Sequence, residues 1–177
     1  MLATGGNLSA RTGGIGVMTA SGGHKGRLRA ENFLSWTIGK PLPVEPRPSA
    51  EAPVHVAIYA KRPKTAAVVH VHSPFATLVS RRFESQGVVV FEGFEFVKAL
   101  GFWDEGATVG VPIVPNHASI PALADAVAAS IGKAPVALVA GHGLYAWGDS
   151  VAAAQRHAEA TEFLCQMVWE MERGAAS

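Results

Sequence analysis

The segment AAVVHVHS, residues 66–73, leaves little freedom in what this chain builds. Its apolar, β-branched run favours a strand. Side chains alternate between the two faces of a strand, so His70 and His72 point one way and Val69 and Val71 the other. The two imidazoles then lie roughly 6–7 Å apart at Cα. Such a pair is either half-buried and hydrogen-bonded, or two ligands of one metal ion. A third ligand elsewhere in the chain decides between them.

The candidate is His142. A second apolar run, PVALVA at 135–140, leads straight into GHGLYAWGD. Glycines on both sides of His142 let the backbone come close to whatever the imidazole touches. The simpler alternative is a turn histidine bonded to nearby carbonyls. Three neutral imidazoles with an open fourth position are the layout of a catalytic zinc site. The other histidines have weaker cases: His157 reads as solvated on the last helix, and His55 as packed on a helix beside a proline-rich connector.

The remaining elements surround these segments. Residues 1–26 are glycine-rich and read as strands joined by tight turns. The stretch PLPVEPRP, 41–48, is an irregular connector. Helices are expected from a cap at Ser49, from Pro74 to Arg82, from Ser119 to a stop at Gly132, and from Asp149 or Ser150 to about Arg173 with Gly174 as stop. The last helix carries the stripe Ala160, Phe163, Leu164, Met167, Val168 and Met171, with Cys165 beside it as a structural thiol. A strand is expected at 87–91, an extended piece at 109–116, and a short helical segment near 94–100. This order gives a mixed α/β domain, and 177 residues make a single one covering 1–177. Charged residues are only 16% of the chain, which suggests apolar surface buried between subunits. No basic block marks a nucleic-acid partner, no run reaches a membrane span, and one cysteine fits a reducing cytoplasm.

Two glycine-rich stretches, TGGNLS at 4–9 and SGGHKG at 21–26, lack the spacing of a nucleotide-binding P-loop. Each can be an ordinary turn. Together they can also form an anion cradle of backbone N–H groups and side-chain donors, with Lys25 supplying positive charge. Beside a metal site, that points to a phosphorylated substrate.

Taken together, TGGNLSAR, TASGGHKG, PSAEAPVH, VVHVHSPFAT and LVAGHGLYAWG before a terminal helix resemble the class II aldolase/adducin-head family over essentially the whole chain. Within it, the HKG after Ser21-Gly22-Gly23, FEGFEFVKAL followed by VPIVPN, and HGLYAWGD resemble a dehydratase branch more than the sugar-phosphate aldolases. The resemblance implies a three-layer α/β/α domain with a mostly antiparallel central sheet. It implies one Zn²⁺ per chain on His70, His72 and His142, and a homotetramer with interfacial active sites. The substrate, a phosphorylated ketose, would set its phosphate against Thr4, Gly6, Asn7, Ser21 and Gly22, with Ser49 and Lys25 nearby. Glu95 falls at the position of the branch's acid/base glutamate, and Glu51 where aldolases carry a metal-proximal glutamate. Phe94, Phe96, Tyr145 and Trp147 are candidates to house an apolar substituent. Family members usually carry a helix before the TGGN segment, whereas this chain begins almost at the motif. The competing readings are an aldolase or epimerase of the same fold, and a non-catalytic adducin-like interaction module.

Overall fold

The computed structural model describes residues 5–24 and 26–175. Eight strands form one sheet: β1 (Asn7–Thr12), β2 (Ile15–Thr19), β3 (Phe33–Thr37), β4 (Ala67–Val71), β5 (Val88–Phe91), β6 (Val109–Val114), β7 (Val136–Val139) and β8 (Gly143–Gly148). Their order across the sheet is β3-β2-β1-β4-β8-β7-β6-β5, and only β6 and β7 run parallel. The histidine strand β4 is therefore central, paired antiparallel with β1 on one side and β8 on the other. Burial on both faces explains why β4, β7 and β8 are so uniformly apolar in sequence.

Helices cover both faces, as the resemblance implies. α1 (Ala52–Lys61) and α3 (Ile120–Ser130) enclose a core of Met18, Trp36, Ile58, Val68, Leu123 and Trp147. α2 (Pro74–Arg82) and α4 (Val151–Ala175) lie over Val89, Phe91, Leu138, Leu144 and Leu164. The strict alternation along β7 divides these two cores: Ala137 and Val139 face α1 and α3, Val136 and Leu138 face α2 and α4.

Five local expectations change. α1 starts at Ala52, not at a Ser49 cap. Ser49 N bonds Thr19 O at 3.2 Å and Pro48 bridges Ala20, and a 3.0 Å bond from Ala52 N to Ser49 O closes a single turn before the regular helix begins. α3 leaves the helix through Ile131 in an extended conformation, without a left-handed Gly132. α4 runs through Gly174. Its stripe also divides: Ala160 and Leu164 are buried, whereas Phe163, Met167 and Met171 stand in solvent. The helix seats instead through Ala154, Ala158, Thr161 and Cys165, small side chains that let it approach the sheet closely. His157 lies on that seated side. It is buried, not solvated, with Nδ1 2.8 Å from Trp147 O. The Cys165 thiol is fully buried and its pKa is pushed up by desolvation, as fits a structural side chain.

Candidate metal centre

β4 carries His70 and His72 on the face toward α1, with His70 fully buried and His72, one residue past the strand, exposed. His142 sits in the turn between β7 and β8. Gly143 is needed there because the turn presses on β4: a Cβ at this position would lie 2.2 Å from Val71 O and 3.1 Å from His72 Cα. The same close approach brings the third imidazole over the first two. His72 Nε2 is 2.9 Å from both His70 Nε2 and His142 Nε2.

Glu51 completes the group. As the residue before α1 it makes no capping bond with its side chain. Its carboxylate instead lies 3.2 Å from His70 Nε2 and 3.3 Å from His142 Nε2, and accepts a 2.8 Å bond from Asn7 Nδ2. Asn7 stands directly opposite His70 across the β1–β4 pair. The four ligand atoms all fall within 4.8 Å of one another, and among the described residues no other cluster of this kind occurs.

The donor set fits a divalent cation. Leu144 O, 2.9 Å from His70 Nδ1, fixes the proton on that nitrogen and leaves a lone pair on Nε2. Burial, and then the neighbouring imidazoles, lower the pKa of His70; burial and His142 lower that of His72, against an opposing pull from Glu51. Both rings are thus held neutral, the metal-binding form. Ligands at about 2.0–2.1 Å around a tetrahedral ion lie about 3.3 Å from each other, close to the 2.9–3.3 Å spacings seen. Three imidazoles and one carboxylate suit Zn²⁺ and also Fe²⁺, Co²⁺ or Mn²⁺.

Behind the cluster, Tyr145 stacks on His70 at 4.2 Å between centroids and meets His55 edge-on at 6.0 Å. Tyr145 and Trp147 are core side chains, which removes them from the candidates for an exposed substrate pocket. His55 packs as expected and is fully buried, with Nδ1 2.7 Å from Ser9 Oγ. Desolvation pushes its pKa down to about 3. The unfolded chain therefore takes up a proton near pH 6.5 that the folded chain refuses until about 3. The resulting stability is complete above pH 6.5 and drains away as pH falls through that window, by a few kcal/mol in all. Urea midpoints of the metal-free protein are expected to fall between pH 7 and pH 4.5, and His55→Phe to flatten that decline.

The phosphate candidates are partly brought together. Ser21 N donates to Arg47 O at 2.9 Å and Ser49 N to Thr19 O at 3.2 Å, which binds the glycine-rich turn to the connector two residues before Glu51. Gly6 is buried and leads into Asn7, while Ser21 and Gly22 form an exposed turn that Gly22 makes with φ +84°. Thr4 and Lys25 lie outside the described residues. Glu95 is not brought to the cluster. It opens a 3₁₀ turn over Glu95–Leu100, its side chain is 84% exposed, and it pairs with Lys98 at 2.5 Å. Sequence reasoning missed the Asn7–Glu51 bond, which joins residues far apart in the chain and leaves no local signal.

An α/β/α domain that gathers three imidazoles and a carboxylate where its central strand ends is the scaffold of a metal-dependent enzyme on small substrates. The Class II Aldolase and Adducin N-terminal domain profile matches residues 1–169, and the chain belongs to that family. It is 43% identical over 175 residues to the methylthioribulose-1-phosphate dehydratase of Methylococcus capsulatus, covering 96% of this chain and 84% of that protein. It is 44% identical over 170 residues to the Yersinia pestis protein of the same name, covering 93% and 76%. Its fold matches the L-fuculose-1-phosphate aldolase of Thermus thermophilus with a TM-score of 0.81 at 25% identity, over 99% of this chain and 87% of that one.

Proposed function

We propose that this chain is a metal-dependent methylthioribulose-1-phosphate dehydratase of methionine salvage, acting in the cytoplasm. The observation that carries the reading is the convergence of His70, His72, His142 and Glu51 in a chain so similar to dehydratases of that name. These residues would hold the cation, with Zn²⁺ the expected ion. Bound there, it supplies Lewis-acid polarisation of the C2 carbonyl, which acidifies the C3 proton.

The chain's own groups do the rest. Gly6, Asn7, Ser21, Gly22 and Ser49, with Thr4 and Lys25, take the 1-phosphate and fix the sugar relative to the cluster. Glu51, held by Asn7, stays oriented toward the imidazoles. Glu95 as a carboxylate takes the C3 proton and, so protonated, returns it to the C4 hydroxyl, which leaves as water. The C3–C4 enol so formed becomes the 2,3-diketone. Glu95 makes no contact with its own chain's cluster, and around it Phe96, Trp103, Phe163 and Met167 are exposed together. Both facts support an interfacial active site in a homotetramer, where Glu95 serves the histidines of a neighbouring copy. No helix among the described residues is long and apolar enough to cross a membrane.

The test is metal content together with product. Protein with about one cation per chain should convert 5-methylthioribulose 1-phosphate to a diketone, and leave fuculose 1-phosphate and ribulose 1-phosphate intact. Cleavage of either control sugar would replace dehydration with aldol chemistry. Metal-free, inert protein would favour the interaction module.

A further inference from the structure

Glu162 of α4 projects across to the start of α2 and takes three hydrogen bonds there. Ser73 Oγ donates to it at 2.6 Å, Phe75 N at 2.9 Å and Ala76 N at 2.8 Å. The first turn of a helix leaves its amides unpaired and carries partial positive charge. Ser73, at the N-cap position, makes no capping bond of its own, so the Glu162 carboxylate does that work from another helix. Ser73 immediately follows His72. The same helix also holds the opposite ligand turn: Thr77 Oγ1 bonds Ser73 O at 2.7 Å and His142 O at 3.2 Å, and Ser80 Oγ accepts from Gly141 N at 3.1 Å. His70 needs none of this, since the sheet and Leu144 O fix it.

We propose that Glu162 is a positioning residue that, through α2, sets the places of His72 and His142 relative to His70. It touches neither substrate nor cation. A carboxylate suits the role because it accepts from three donors at once, which an amide cannot do without turning its NH₂ toward an N–H. The inference rests on the metal-centre reading of the cluster, not on which sugar phosphate is consumed.

Titration of the metal-free protein with Co²⁺ tests it, because the visible bands of bound Co²⁺ report ligand geometry as well as affinity. Glu162→Gln is expected to shift those bands and to weaken Co²⁺ binding by up to about ten-fold, the lower end of the loss caused by removing a ligand's direct partner, because it acts one step further out. Glu159→Gln, on the same helix but bonded only to Gln155, is the matched control and should change neither. A folded Glu162→Gln protein with wild-type affinity and spectrum overturns the proposal. If that variant does not fold, Thr77→Val and Ser80→Ala break the same path nearer the ligands. A shifted spectrum in them supports the proposal, and wild-type spectra in both overturn it. Wild-type protein that binds no Co²⁺ overturns the metal centre itself, and this inference with it.

Discussion

In a His72→Ala protein, bound divalent metal and diketone formation are both lost, while the metal-free chain unfolds at nearly the wild-type urea midpoint. His72 is the exposed member of the three imidazoles, so its removal opens no cavity. Its stability cost should stay within about 0.5 kcal/mol, as at other surface positions. The loss of metal affinity should exceed the about 100-fold caused by removing an outer-shell partner, because a direct ligand is gone. His70→Ala behaves differently. It also removes the stack on Tyr145 and empties a fully buried position, so it should cost about 2–5 kcal/mol as well. Metal that still binds with wild-type affinity to His72→Ala would sink the assignment of the cluster.

Glu95→Gln should lower kcat by about 10²–10⁴ at unchanged metal content, the range expected for a general acid. The more telling experiment mixes subunits. An oligomer reassembled from Glu95→Gln and His72→Ala chains should regain activity, because some interfaces then pair an intact Glu95 with an intact histidine cluster. Reassembled oligomers that stay inert would assign Glu95 to its own chain or to no chemistry. Size-exclusion profiles of the mixture show whether subunits have exchanged.

The histidine cluster was legible because its signals are local. Alternation along β4 puts His70 and His72 on one face whatever surrounds them, and the glycines flanking His142 mark a turn that must approach something closely. The strands β4 and β7 and the helix α2 follow from the same periodicities almost to the residue. What could not be read depended on which element packs where. The α4 stripe is a helical band wide enough to bury either of two sides, and the choice fell on the small residues. That choice buried His157 and exposed Phe163. Ser49 has a capping residue's chemistry, yet the chain makes a separate turn from Ser49 to Ala52 before α1 starts. Nothing in the sequence separates Glu162 from the other glutamates of α4, because its three bonds depend on α2 lying beside it.

The two ends of the sheet are unequal in a way that bears on handling the protein. β3 closes one end with FLSWT, and polar Ser35 and Thr37 interrupt its apolar pattern. β5 closes the other with VVVF, which has no charge, no proline and a half-exposed Val90, and pairs only with β6. An uncharged β-branched edge is a template for another strand. Chains kept apart by dilution or mutation, or caught partly folded, should therefore clump through residues 88–91, and a lysine in place of Val90 should keep them dispersed.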